Sequence, residues 1–484
     1  MSQIDRRTLL GAGGALLAGA TLAACGGSSE PPTVPGGGGG GGGDLRWWDH
    51  FSALQKFHKS WAAEQSQALG VEIAYTYNDV SKSAEALQLA NQSKQLPDVY
   101  SNVLGLPLAA LVEEGWLHEL SLTPEATATL PEGALTEGVT SLGGKVYGLP
   151  LFAAQQYSAL TWFNTDIIGD AGLDPDAPPT SYDAFRAACA KIKSSAGGDH
   201  APMVLALGGI ARMGEQIDDM VMAGGFEGFQ GLRFATGEYA YDDDAYVNAI
   251  EFWKQLNDDG FIVQGASNFT VANARSRWSA GVAGFFPDGP WCAGGVKAIT
   301  PAFVPTMGVG PILTAESGAT PVLYRGAPGA QFFVAGNSRD PEKASALLSS
   351  FLTTEYQKGL ASGMDQPPLD LSVVETADVT DPYKKATQFF LDTVRRGPQA
   401  VVRNPEIAAA EALMKPISPK LGDIVQGYLG GNIPDLRAAL KKLSDDNSAN
   451  REQALAAAKA GGANVSLDDY AFTDWKAGED YVYA

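Results

Sequence analysis

The chain predicts an α/β protein built as two lobes, on three observations. Strand-like and helix-like segments alternate from Leu45 onward, the order that gives a sheet with parallel strands. The stretch after residue 43 is too long for one core of ordinary domain size. Several later helices carry a cap, a single apolar face and a stop at helical spacing.

Leu45-Arg46-Trp47-Trp48 reads as a short first strand, with Asp49-His50-Phe51 in the loop after it. A helix is expected over about 51–69, then a β-branched and aromatic strand over 71–77. A helix over 82–94, a strand near 98–102 and a helix over 107–114 continue the alternation. Further on, Asp340-Pro341-Glu342 supplies a cap, a first-turn proline and an acid at the positive end of a helix. Ala344, Leu347, Leu348, Phe351 and Leu352 then fall on one face. A second such helix spans 242–259, with Tyr246, Ile250, Trp253 and Leu256 on one side and Gly260 as its stop. The region 382–460 reads as almost wholly helical, broken at Gly397-Pro398, Pro416, Pro419 and Gly430-Gly431. The acidic, aromatic end (Tyr470, Phe472, Trp475, Tyr481, Tyr483) reads as a packed tail.

The first residues read as an export signal. Arg6-Arg7 is a twin-arginine pair, followed by an uncharged apolar stretch from Leu9 to Ala24 and then Cys25. That stretch is short of the roughly 20 apolar residues a spanning helix needs. Small residues before Cys25 resemble the bacterial lipobox, whose cysteine takes lipid and becomes the first residue of the mature protein. Residues 1–24 are therefore expected to be a signal peptide, and 25–43, nearly all Gly, Pro and Ser, a flexible leash from a lipid anchor. The glycine run also matches a dinucleotide fingerprint, but without the strand and helix that would make it one.

A formal charge of −21 leaves no broad electrostatic footprint for nucleic acid or anionic lipid. Three cysteines are present; with Cys25 assigned to lipid, Cys189 and Cys292 remain, able to pair outside the cytoplasm but expected as two buried thiols.

Several segments together resemble the extracellular sugar-binding proteins of bacterial ABC importers (family 1). Pro97-Asp98-Val99 is similar to that family's element after its second helix. Gly143-Gly144-Lys145-Val146-Tyr147-Gly148-Leu149-Pro150 looks like its "G-K-x-Y-G-L-P" step, with Phe163-Asn164 ending the next strand. Pro178-Pro179-Thr180-Ser181-Tyr182 resembles "P-P-T-W", with Ser181 near a cap position. Gly281-Val282-Ala283-Gly284-Phe285 and Asp288-Gly289-Pro290-Trp291 resemble its "G-x-A-A-M … G-x-W" element. Tyr182, Phe163 and Gly284-Phe285 depart from the pattern conservatively, and the aromatic tail lies outside it.

The resemblance implies a two-lobed periplasmic-binding-protein-like fold of type II with a helix-rich second lobe. Lobe 1 would hold 44–153 plus 318–378, and lobe 2 would hold 154–317 plus 379–484. It implies an ABC transporter component outside the cytoplasm, lipid-anchored and monomeric, with a sugar or oligosaccharide ligand, a membrane permease partner and no cofactor. The lobes would close about a hinge.

Sugars present apolar faces and polar rims, so a cleft needs aromatic plates together with carboxylates, amides or arginine. In an open α/β sheet the ligand sits beyond the carboxyl ends of the strands. That rule and the resemblance select Trp48, Asp49, His50 and Asn102, with Ser101 beside it. They also select Gln156 and Tyr157 after the first crossing, Asp288 and Trp291, Tyr324 and Arg325 at the second crossing, and Gln366. Trp48 and Tyr324 are equally readable as packing, His50 as a satisfied loop histidine and Asp98 as a brace. Arg395, Arg396 and Arg403 could meet an acidic sugar, or simply neutralise a helix end.

A secreted glycoside hydrolase is the rival from another class. In so acidic a chain, paired carboxylates can be picked out anywhere and prove nothing. There is no G-x-S-x-G elbow, H-E-x-x-H, P-loop or EF-hand loop, and the four histidines (His50, His58, His118, His200) do not pair at metal spacing. No catalytic or metal site is expected. The same fold could also take another solute, such as a polyamine; the loop Trp and Tyr residues favour sugar.

Overall fold

The structure is a computed structural model that describes residues 44–195 and 200–483. The twin arginines, Cys25 and the glycine-rich run lie outside these residues.

Two sheets organise the body. The first orders its strands Ile73–Tyr77, Leu45–Asp49, Val99–Ser101, Ala330–Val334, Gly148–Pro150. The second orders them Met307–Gly310, Leu160–Asn164, Ala283–Asp288, Ala201–Met203. Parallel pairing holds where strands join through local helices, as in Ile73–Tyr77, Leu45–Asp49 and Val99–Ser101. The pairs of Ala330–Val334 are antiparallel, because that strand returns from the other sheet instead of through a crossover helix. The sheets are thus mixed, where the alternation suggested parallel strands throughout.

Burial follows the sequence pattern. Leu45, Trp47 and Asp49 point inward while Arg46 and Trp48 point to the other face. Trp47 packs on Phe351 at 5.0 Å, and Phe51 on Phe152 at 5.1 Å. Phe51 is core, so a 3-10 turn at Ser52–Leu54 precedes the helix Gln55–Leu69. The helix Asp244–Asp258 starts on Asp243, whose side chain accepts the Ala245 N–H. Asp340 likewise caps Pro341–Ser350 through the Lys343 N–H, and all five apolar residues expected on one face are buried. Asp98 is a brace: it accepts from Arg46 N (2.9 Å) and Ser338 Oγ (2.9 Å).

Within 382–460, Val394–Arg396 is a strand, paired in parallel with Leu323–Arg325. Arg395 turns its guanidinium back onto the carbonyls of Asp392 (2.9 Å) and Leu391 (3.3 Å) at the end of the helix Asp381–Thr393. This is the helix-end role. Cys189 and Cys292 are buried free thiols.

Burial raises the Asp218 carboxyl from 3.8 to about 7, although the Tyr246 hydroxyl donates to it at 2.6 Å. A carboxyl raised on folding stabilises the fold fully below 3.8, and that contribution is lost as pH climbs to about 7. Asp218→Asn should therefore raise the thermal midpoint at about pH 8 and leave it unchanged at about pH 3.5. Differential scanning fluorimetry at both pH values checks the sign.

Candidate functional site

The chain passes between the sheets three times: after Gly148–Pro150, between Met307–Gly310 and Ala330–Val334, and after the helix Thr354–Ser362. The carboxyl ends of both sheets and these three passes define a candidate cleft.

At the first sheet, Asp49 Oδ1 accepts the backbone N–H of His50 (2.7 Å) and Phe51 (3.2 Å). Its Oδ2 accepts the Tyr75 hydroxyl (2.9 Å) and meets His58 Nδ1 (2.7 Å), while His58 Nε2 meets the Tyr356 hydroxyl (2.8 Å). These bonds curl the loop so that His50 Nδ1 rests 2.6 Å from Ser101 Oγ. Burial lowers the basicity of His50. The pair has a nucleophile–base distance, yet Asp49 orients His58 and not His50, and Ser101 is buried. Trp48 lies half-buried beside Ser101 on a small cavity also lined by Leu87 and Val103. Asn102 Nδ2 donates to the Ala330 carbonyl (3.1 Å), and its buried Oδ1 has no partner.

At the second sheet, Asp288 is held by Arg275 through Nη2 (2.6 Å) and Nε (3.1 Å). Its Oδ1 accepts from Gly289 N (2.9 Å) and from Trp291 Nε1 (2.8 Å). That fixes a half-buried Trp291 at the start of the helix Cys292–Ile299. The Arg212 guanidinium lies 4.1 Å over the Trp291 ring and pairs with Glu215 at 2.6 Å, leaving its buried Nε without a partner. The Glu215 carboxyl is pushed up by the protein packed around its base, although half of the side chain stays exposed.

The passes form the floor. Asp219 accepts the N–H and hydroxyl of Ser158 (2.6 and 2.8 Å) and pairs with Arg325, joining the first and second passes. Gln156 Nε2 donates to Gln366 Oε1 (3.1 Å), joining the first and third, and its buried Oε1 is unpartnered. The third pass also meets the second lobe where Gly294 N donates to the Met364 carbonyl (2.9 Å). The neighbouring Asp365 carboxyl is raised to about 6, by burial first, with Asp49 and Asp288 opposing its charge and Arg275 favouring it.

The expected residues therefore separate into two groups. Trp48, His50, Asn102, Gln156, Trp291, Arg325 and Gln366 stand partly accessible at the sheet ends and passes. Asp49 (1 % exposed), Asp288 (0 %), Tyr157 (2 %) and Tyr324 (4 %) point inward and are bonded within the protein. Tyr157 accepts the Ile312 N–H and packs on Phe390, and Tyr324 accepts the Gly478 N–H. Sequence reasoning missed Arg212, Glu215, Asp219 and Asp365. The first three lie at i, i+3 and i+7 of the helix Ile210–Ala223, a polar stripe available as a signal, although Gln216 and Asp218 on the same helix blur it.

A model of bacterial extracellular solute-binding proteins matches residues 54–390. The chain belongs to that family, whose members work outside the cytoplasm. Its two-lobed fold is shared with solved binding proteins. The GacH receptor of Streptomyces glaucescens, solved unliganded and with acarbose, is 19 % identical with a TM-score of 0.62, over 85 % of this chain and 98 % of that one. A solute-binding protein from Thermotoga lettingae bound to α-D-tagatose is 18 % identical with a TM-score of 0.63, over 84 % and 98 %. The maltotriose-binding protein of Thermus thermophilus is 16 % identical with a TM-score of 0.60, over 83 % and 98 %. A comparison with curated protein sequences finds no match.

Proposed function

We propose that the protein captures a sugar or oligosaccharide outside the cytoplasm and hands it, unaltered, to the permease of an ABC importer by hinged closure. One observation carries the reading: Asn102 Oδ1 just after the strand Val99–Ser101, Gln156 Oε1 on the first pass and Arg212 Nε beside Trp291 are buried polar atoms without partners, as are others elsewhere at Trp47, Gln357, Arg451, Tyr470 and Trp475. Unpartnered buried polar atoms are costly unless something hydrogen-bonds to them, and sugar hydroxyls both donate and accept. Trp291 after the second sheet's strand Ala283–Asp288, and Trp48 and His50 at the end of the first sheet's strand Leu45–Asp49, are the aromatic plates of this proposal. Gln366, Arg325 and Asp365 read the polar rim. Asp49, Asp288, Tyr157 and Tyr324 position these groups from within. The sugars recorded in the three relatives agree with the reading.

Lobe 1 is 44–153 plus 318–378 and lobe 2 is 154–317 plus 379–484, with the Leu323–Arg325 and Val394–Arg396 pair lying where the chain crosses. The working form is a monomer tethered through lipid on Cys25. Cys25→Ala should move the protein from the membrane to the soluble fraction without changing its sugar affinity; retention in the membrane fraction would remove the anchor. The ligand itself is tested by mass spectrometry of small molecules carried through purification. An intact saccharide in stoichiometric amount is expected, and a polyamine in its place would overturn the assignment.

A further inference from the structure

The aromatic tail has no role in sugar binding as proposed, yet it is packed and hydrogen-bonded at several points along its length. Phe472, Trp475 and Tyr481 are buried. The Phe472 N–H donates to the Phe234 carbonyl (2.8 Å). Trp475 packs edge-on against Tyr324 at 5.2 Å and on Phe234 at 5.3 Å. The Gly478 N–H donates to the Tyr324 hydroxyl at 2.8 Å. Asp480 Oδ1 accepts the Arg396 N–H at 2.6 Å, and the Tyr481 N–H donates to the Arg396 carbonyl at 2.8 Å. The tail therefore covers the end of Val394–Arg396 at Arg396, through one backbone bond and one side-chain bond. The Tyr483 hydroxyl accepts the Gln399 N–H (2.6 Å), and Gln399 Oε1 accepts the Ala327 N–H (2.7 Å) on the second pass.

We infer that residues 472–483 are a clasp that positions the second pass and, through it, the floor of the cleft. This rests on the hinged-binding reading. The route is continuous. The tail holds Tyr324, and the next residue, Arg325, pairs with Asp219, which accepts both hydrogen bonds from Ser158 on the first pass. The tail braces both strands of the pair Leu323–Arg325 and Val394–Arg396, holding the Tyr324 ring on one and the Arg396 backbone on the other, and adds to the Asp219 and Phe229 contacts of Arg325. A three-residue parallel pair has little cohesion of its own. Trp475 and Asp480 are thus positioning residues and need not touch sugar.

Hydrogen exchange on the full protein tests this. Trp475→Ala and the milder Asp480→Ala should each speed amide exchange at least tenfold at 323–327 and at 155–158, with no change at Ala283–Asp288. A tail that only covers the helical surface would speed exchange in 394–403 and 466–483 alone, and that pattern in Asp480→Ala overturns the clasp. If Trp475→Ala does not fold, Asp480→Ala decides. Exchange is read without sugar, so failure to bind any saccharide would count against the sugar reading and leave this comparison intact.

Discussion

Trp291→Ala is expected to weaken sugar binding at least tenfold, on the order of 1.4 kcal/mol, while the protein stays folded. Trp291 stands half-buried at the mouth of the second wall, anchored by its Nε1 bond to Asp288. Its loss deletes an aromatic plate that a buried carboxylate bonds directly and locks in direction, so little orientation entropy is spent when sugar arrives. The fold should tolerate the change because Asp288 keeps both bonds from Arg275 and the Gly289 N–H. Arg212 loses the ring beneath it and gains freedom, which adds to the loss of affinity. Calorimetry on the variant decides: an unchanged affinity would remove Trp291 from the site.

Asp219→Ala should be the most damaging single change to the body. The carboxylate is buried and neutralises Arg325 while satisfying two donors of Ser158. Truncation strands a guanidinium and a backbone N–H together, and breaking such a buried pair costs about 3–5 kcal/mol. It also severs the first pass from the second, so sugar affinity should fall along with stability. Asp219→Asn keeps an acceptor for Ser158 but loses the charge, and should lie between wild type and Ala in thermal midpoint. Equal midpoints for Asp219→Ala and wild type would mean that the two passes are not joined there.

Local rules carried the fold a long way, because caps, apolar stripes and alternation are short-range signals. Asp340, Asp243 and the face from Ala344 to Leu352 behave as their spacing implies. The short strand Val394–Arg396 escaped because three residues pair only with a partner some seventy positions away, at Leu323–Arg325, which no local window contains. At the site, position beyond strand ends was legible, but side-chain direction was not. Asp49, expected in the loop after the first strand, and Asp288 are instead the last residues of their strands, and each turns inward to satisfy the groups beside it. Conversely, Arg212, Glu215 and Asp219 sit on a helix, a place that the strand-end rule does not search.

The most direct test of the account is a titration of a panel of mono- and oligosaccharides followed by tryptophan fluorescence, with chromatography of the sugar afterwards. A saturable change with at least one sugar, recovered chemically intact, is the predicted result. Shortened sugar after incubation, or no saturable response to any member of the panel, would contradict it.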